Sequence, residues 1–154
     1  MGSLILLRHA KSSWADGATG DHERPLNARG QRDAGAVAVA LLARERVTHV
    51  LCSTAIRTRQ TLRHLVRAGA VDEACARFEA ELYLASAERI ERSVDAAAHA
   101  GAHLLVIGHN PGIEELAGRL AGHRLVMKTS SLCRFERDGS GTAWRLVEQL
   151  VPRG

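Results

Sequence analysis

Aromatic side chains are scarce in this chain of 154 residues, at 3% of the composition. The core must therefore be filled by Leu, Val, Ile and Ala, and close layers of helix on sheet suit such small side chains. Apolar residues make up 45% and charged residues 25%, which is the balance of a globular protein and not of a disordered or coiled-coil chain. The length fits one domain, so we expect a single unit over residues 1–154.

Long hydrophobic runs are also missing. The longest, around residues 104–107, falls far short of the roughly 20 residues that span a bilayer. The apolar residues 4–7 follow no basic segment and are too few for a secretory leader, so we expect a cytoplasmic protein without a membrane partner. The three cysteines form no CxxC pair; they favour neither a disulfide framework nor a zinc site and are predicted to be buried thiols.

Lysine is nearly absent, because Lys11 and Lys128 are the only two in the sequence and arginine carries most of the positive charge. The formal net charge is +4 and the isoelectric point is near 9.5, which favours anionic partners. The sequence has neither a basic run nor a basic stripe interleaved with aromatic residues. We therefore do not expect nucleic acid to be the partner.

Short apolar runs that end in polar residues predict the strands of the fold. Residues 4–7, 49–52 and 104–107 are typical of strands buried on both faces of a parallel sheet. A weaker strand or loop is predicted over 77–84. Two partly alternating runs, 131–136 and 142–150, flank a turn at 138–141 and indicate an antiparallel hairpin at the edge of the sheet.

Segments with helical spacing of apolar residues separate these strands. Asn27 is the predicted N-cap of the first helix, the second ends at Gly69 and the third ends at Gly101. For the fourth, we expect Asn110 as N-cap and Pro111 as the first helical residue. The alternation predicts a three-layer α/β/α sandwich with a mostly parallel sheet and an antiparallel C-terminal hairpin at its edge. Ligands are then expected beyond the carboxyl ends of the strands.

Cationic and imidazole side chains follow the predicted strands at these ends. Arg8 and His9 follow the first strand, Arg57 lies in the first turn after the second, and His109 follows the strand at 104–107. Together with helix N-termini, they predict a site for a dianion such as phosphate. Zinc is disfavoured because His9 and His109 lack a third ligand at metal spacing and lie among cations.

Three sequence motifs resemble those of a known family. They are LLRHAK at 6–11, STAIRTRQT at 53–61 and VIGHNP at 106–111. In this order they resemble the histidine phosphatase superfamily, with its phosphoglycerate-mutase-like fold, over nearly the whole chain. The short length, RPL at 24–26 and TSS at 129–131 are most similar to its SixA branch, the phosphohistidine phosphatases.

The resemblance implies a role for each residue at the predicted site. His9 would be the nucleophile that forms a phosphohistidine intermediate, and Arg8, Arg57 and His109 would bind the phosphate oxygens without a metal or other cofactor. Glu81 is the best match to a proton donor. The signature's usual glycine is replaced by Ala10, for which we expect little effect. Two other polar residues in the motifs, Ser53 and Asn110, are interpreted as helix caps.

The strength of the proton donor bears on which class of phosphorylated substrate the site can hydrolyse. Imidazole, with a pKa of about 6.5, leaves phosphorus more readily than an alkoxide does. A site with a poor proton donor therefore favours phosphohistidine as the substrate. We therefore expect a phosphorylated protein, such as a histidine phosphotransfer domain, as the partner of a monomeric enzyme. A hydrolase of small phosphate esters or phosphoramidates is the alternative, and it would need Glu81, Asp16 or Asp21 as acid. A non-catalytic phosphate-binding module is disfavoured because His9 and all three predicted phosphate ligands are present.

Overall fold

The computed structural model describes residues 2–14, 20–137 and 143–154, which form one six-stranded sheet between two layers of helices. The strands are β1 Gly2–Arg8, β2 His49–Ser53, β3 Ala76–Glu79, β4 His103–Gly108, β5 Leu132–Arg137 and β6 Arg145–Leu150. The helices are α1 Ala28–Leu42, α2 Ile56–Arg67, α3 Ala87–Ala97 and α4 Gly112–Ala121. Short 3₁₀ turns cover Asp21–Glu23, Glu73–Cys75 and Ala80–Leu82.

The sheet has the strand order β3-β2-β4-β1-β5-β6. Strands β1 to β4 are parallel, whereas β5 runs antiparallel to β1 and β6 antiparallel to β5. The predicted mostly parallel sheet and its antiparallel C-terminal strands are therefore confirmed. The turn predicted at 138–141 lies outside the described residues.

The central strand β1 is buried on both faces, as its continuous apolar run predicts. Leu4 and Leu6 pack with α3 and α4, whereas Ile5 and Leu7 pack with α1 and α2. This alternation follows from the two-residue period of a strand. Each layer of helices thus covers its own apolar core, and the three-layer sandwich is confirmed.

Local sequence explains the start of helix α1 but not the start of α4. The Asn27 side chain accepts a hydrogen bond from the Gly30 amide at 2.8 Å, which confirms the predicted N-cap of α1. The prediction for α4 is wrong by one residue, since Pro111 is its N-cap and Gly112 its first helical residue. Asn110 instead donates its side-chain amide to the Met127 carbonyl at 2.9 Å.

Two further predictions concern cysteines and membrane spans. Cys52 and Cys133 are buried free thiols, as predicted, whereas Cys75 is only partly buried. Within the described ranges, no helix combines the length and apolar character needed to cross a membrane.

Candidate active site

The parallel arrangement brings the ends of β1, β2 and β4 together at one edge of the sheet. Arg8 lies opposite Gly108 in the register of β1 and β4, and Cys52 lies opposite Ile107 in that of β2 and β4. The residues that follow these strands surround a cavity of about 370 Å³. Its wall includes all four residues predicted from the strand ends, namely Arg8, His9, Arg57 and His109.

His9 lies at the base of this cavity, where its side chain is 6% exposed. Its Nδ1 atom is 2.7 Å from the Ala10 carbonyl oxygen, so Nδ1 carries the hydrogen and donates it. The Nε2 atom then carries no hydrogen, and its lone pair accepts a hydrogen bond from Arg57 Nε at 3.2 Å. Burial, followed by the charges of Arg57, Arg8 and Arg24, lowers the pKa of His9 to about 3. His9 is therefore a neutral imidazole whose Nε2 can act as a nucleophile.

Arg57, at the start of α2, is 2% exposed. Besides its bond to His9, it donates from Nη1 to the Asp21 carbonyl oxygen at 2.7 Å and from Nη2 to the Asp21 carboxylate at 3.1 Å. All three nitrogens of the guanidinium are thereby fixed. Its fork is held against the histidine ring, where it can neutralise a bound anion.

His109 follows β4 and faces His9, with the two ring centroids 5.3 Å apart. Its Nε2 atom lies 2.7 Å from the Ser53 hydroxyl, while Nδ1 is buried without a partner among the described residues. Burial is the main cause that lowers the pKa of His109 to about 3, and His9 and Arg57 lower it further. Ser53 thus orients His109 and is not the helix cap that was predicted, because Ala55 occupies that position.

Arg8, the last residue of β1, also lines the cavity. Its Nη1 atom donates to the Met127 carbonyl at 3.0 Å, and its buried Nε has no partner within the described part of the chain. Buried polar atoms in proteins are normally hydrogen-bonded. Arg8 Nε and His109 Nδ1 therefore have unused hydrogen-bonding capacity, and both residues line the cavity together with His9.

Comparison with known proteins places this arrangement in a family. The profile of the histidine phosphatase superfamily (branch 1) matches residues 4–79. A solved structure of a candidate phosphohistidine phosphatase SixA from Agrobacterium tumefaciens is 32% identical, with a TM-score of 0.82 over 97% of this chain and 98% of that one. This chain belongs to the histidine phosphatase superfamily, and it is of the SixA type.

Two further proteins are similar to this chain. A candidate SixA phosphatase structure from Nakamurella multipartitia is 27% identical, with a TM-score of 0.83 over 97% of this chain and 95% of that one. An uncharacterized protein of Mycobacterium tuberculosis is 42% identical over 116 residues, which are 75% of this phosphatase and 70% of the relative. The phosphoglycerate-mutase-like fold expected from the motifs is confirmed.

Among the described residues, Asp21 is the one that places a carboxylate in the cavity wall of the phosphatase. Its main partner is the Tyr83 hydroxyl, which donates to it, and Arg24 donates from Nε at 3.0 Å. The Tyr83 hydrogen bond, with the help of Arg24 and Arg57, lowers the pKa of Asp21 to about 2. Asp21 is therefore ionised at neutral pH and has no proton to donate.

Glu81 does not reach the cavity. It lies in the 3₁₀ turn Ala80–Leu82 with an exposed side chain, and it is absent from the cavity wall. The third acid considered from the sequence, Asp16, lies outside the described residues. The structure thus brings together His9, Arg8, Arg57 and His109 but leaves Glu81 apart.

Sequence reasoning missed two residues in the phosphatase site. Arg24, 7% exposed, lines the cavity and its guanidinium lies 3.4 Å from the centre of the Trp14 ring. Tyr83 contacts Asp21 and packs edge-on to His109, with 5.4 Å between ring centroids. The RPL motif at 24–26 contained Arg24, but nothing in its spacing indicated that the side chain turns inward. Among the described residues, no group of three metal-ligating side chains comes together.

Proposed function

We propose that this chain hydrolyses phosphohistidine on protein substrates through a covalent intermediate on His9. The observation that carries this proposal is the state of the His9 ring, whose Nδ1 hydrogen is held by the Ala10 carbonyl while Nε2 keeps its lone pair. A neutral nitrogen fixed in this orientation is prepared for in-line attack on phosphorus. The low pKa of His9, about 3, keeps it in this form at neutral pH.

The first step is attack of His9 Nε2 on the phosphorus of the substrate. A new N–P bond forms and the N–P bond to the substrate imidazole breaks. The substrate ring already carries a proton on its other nitrogen, so it takes the bonding electron pair and leaves as neutral imidazole. The cations Arg8 and Arg57 offset the charge on the transferring group, and the neutral ring of His109 can donate a hydrogen bond to it. In the second step, water attacks the phosphorus of phospho-His9, an O–P bond forms and the N–P bond breaks. The bonding electron pair returns to Nε2 to regenerate the neutral ring, and the proton of the water leaves with inorganic phosphate or passes to solvent.

The surroundings of the leaving group support a phosphoramidate substrate over an alkyl phosphate. An alkoxide needs a carboxylic acid to protonate it, whereas imidazole has a pKa of about 6.5 and departs already protonated. Asp21, which lines the cavity, is ionised by its bonds to Tyr83, Arg24 and Arg57. Glu81 has an exposed side chain outside the cavity. The substrate named for the Agrobacterium tumefaciens and Nakamurella multipartitia relatives gives independent support.

The test is single-turnover hydrolysis of a histidine-phosphorylated phosphotransfer domain, with EDTA present throughout. We expect the wild type to release phosphate and His9→Ala to release none. His123→Ala, which removes an exposed histidine outside the cavity, is the matched control and should act like the wild type. A short-lived, acid-labile phosphoenzyme should form with the wild type and the control alone.

The two other candidate functions predict different results. Brisk hydrolysis of a small phosphate ester without any turnover of the phosphorylated domain would contradict the proposal in favour of a small-molecule phosphatase. Stoichiometric binding of the phosphorylated domain without turnover would instead indicate a phosphate-binding module. Loss of activity in EDTA that returns with added metal would contradict the metal-independent mechanism.

A further inference from the structure

A second hollow, of about 590 Å³, adjoins the catalytic cavity and shares Arg8, Lys11 and Thr129 with it. We call it the basic groove. Its cationic residues are Arg8, Lys11, Arg29, Arg32, Lys128 and Arg153. Both lysines of the sequence therefore lie in this one hollow, although arginine supplies most of the positive charge elsewhere.

Only part of the positive charge in the basic groove is balanced by the described residues. The buried Asp33 carboxylate pairs with Arg29 at 3.4 Å and with Arg153 at 3.5 Å. The other exposed cations, Lys11, Arg32 and Lys128, form no ion pair with any residue in the described ranges. Among the residues that the structure describes, no carboxylate balances the charge of these three cations, which lie directly beside the catalytic cavity.

The exposure of these cations indicates the kind of ligand they meet. Arg57, in the catalytic cavity, is 2% exposed and fixed at all three nitrogens, as suits a small dehydrated anion. In contrast, Lys11, Arg32 and Lys128 are exposed on long, flexible side chains. Exposed charges at the rim of a site accelerate and orient the association of proteins of opposite charge more than they hold one small ion.

We propose that the basic groove docks an acidic surface of the phosphorylated protein, with carboxylates of the partner beside its phosphohistidine. This inference rests on the proposed function and specifies the chemistry of the partner. Carboxylates facing Lys11, Arg32 and Lys128 would align the phosphohistidine with the cavity, because the groove and the cavity share Arg8, Lys11 and Thr129 in their walls.

The test compares two peptides of equal length with a central phosphohistidine, one flanked by Glu and the other by Gln. At low ionic strength, the wild type should hydrolyse the Glu peptide with a kcat/KM about tenfold higher, through faster association. This preference should largely disappear in about 0.5 M salt, which screens exposed charges.

Two double variants separate docking from overall charge. Arg32→Glu/Lys128→Glu changes the basic groove outside the catalytic cavity and should abolish the preference for the Glu peptide. Arg92→Glu/Arg124→Glu makes the same change in net charge at two exposed arginines, one on α3 and one after α4, and should retain the preference. Both variants should hydrolyse the small substrate phosphoramidate within about twofold of the wild type, since neither alters the cavity wall.

The possible failures can be told apart. Equal hydrolysis of both peptides by the wild type would overturn the docking proposal and leave the proposed function intact. Hydrolysis of neither peptide would overturn both. Equal loss of preference in the two double variants would show that only overall charge matters. Hydrolysis of a small bisphosphate that depends on Arg32 and Lys128, without a peptide preference, would assign the groove to small polyanions and overturn docking.

Discussion

At the residue scale, the chemistry of the site depends on which ring nitrogen of each histidine carries the hydrogen. His9 donates from Nδ1 to the Ala10 carbonyl and is buried among cations, which lowers its pKa to about 3. We therefore expect ¹⁵N NMR of the histidine rings to show His9 as the neutral Nδ1–H tautomer from pH 8 down to about pH 5, because this range lies well above its pKa. A spectrum of His9→Asn identifies the resonances. A His9 ring that titrates near its ordinary pKa, or that carries its hydrogen on Nε2, would contradict the nucleophile assignment.

The Asp21 carboxylate is the negative group that a phosphate meets at Arg57, because it occupies one arm of the guanidinium fork at 3.1 Å. Asp21→Asn keeps the size of the side chain and removes its charge. We expect inorganic phosphate to inhibit this variant about tenfold more tightly at pH 7, since the repulsion between carboxylate and phosphate is lost.

Glu23→Gln is the matched control for this change. Glu23 lies in the same 3₁₀ turn with an exposed side chain, and it does not line the cavity. Its removal should alter phosphate inhibition by less than about twofold, as expected for an exposed charge. Weaker inhibition in Asp21→Asn than in the wild type would show that Asp21 positions Arg57 and does not compete with phosphate.

At the scale of elements, helix α1 is placed by the close approach of its first turn to the chain after β1. A Cβ atom added at Gly30 would lie 2.0 Å from the Lys11 carbonyl oxygen, which is impossible without moving the helix or the loop that follows His9. Gly30→Ala should therefore lower the free energy of unfolding by at least about 2 kcal/mol. Urea denaturation measures this loss, and a reduced kcat/KM would follow from displacement of the loop.

Gly35→Ala in the same helix provides the control, because a Cβ atom there meets nothing within 4 Å. Alanine has the higher helix propensity, so this variant should be more stable by about 0.5 kcal/mol. If Gly30→Ala were as stable as the wild type, the contact between α1 and Lys11 would not position the site.

The elements of the fold were predictable where local signals are strong. The apolar runs predicted β1, β2 and β4, and the side chain of Asn27 capped α1 as expected. The helix caps proposed for Ser53 and Asn110 were wrong for one physical reason. Both side chains found partners far away in the sequence, Ser53 at His109 and Asn110 at Met127, and such tertiary hydrogen bonds override local capping preference.

The candidate site was predictable to a similar degree. Residues directly after a strand could be placed from the sequence, because parallel strands end at one edge of the sheet. Tyr83 and Asp21 could not be paired in this way. They meet across 62 positions of sequence, between two loops whose paths follow from packing and not from periodicity. Glu81 was chosen from the correct loop, but the side chain of that loop that contacts Asp21 and His109 is Tyr83.

At the scale of the whole molecule, the strand order brings distant parts of the chain together at the carboxyl ends of β1 and β4. His9 and His109, a hundred positions apart, become neighbours with ring centroids separated by 5.3 Å. The sequence predicted that the strand ends would meet but not the order β3-β2-β4-β1-β5-β6, because nothing local specifies which strands pair. The buried histidine pair thus forms when β1 pairs with β4, and it links folding to proton binding.

This linkage predicts how stability depends on pH. The folded protein keeps His9 and His109 neutral down to a pKa of about 3, whereas both take up protons near pH 6.5 when unfolded. The unfolded state therefore binds more protons below pH 6.5, and the free energy of unfolding falls as the pH is lowered from about 6.5 towards 3. Two histidines together give a slope of about 2.7 kcal/mol per pH unit near pH 4.5. The depressed pKa of Asp21, about 2, adds a further loss only below its ordinary range.

Urea unfolding at a series of pH values measures this slope, and His9→Asn isolates one of the two contributions. Asparagine does not titrate, so the variant should lose about 1.4 kcal/mol per pH unit of the dependence between pH 5.5 and 4. His123→Asn is the matched control and should keep the slope of the wild type, because this histidine is exposed and lies outside the cavity. An unaltered slope in His9→Asn would mean that the folded protein admits a proton to the His9–His109 pair, and the neutral nucleophile on which the mechanism depends would then exist only at higher pH.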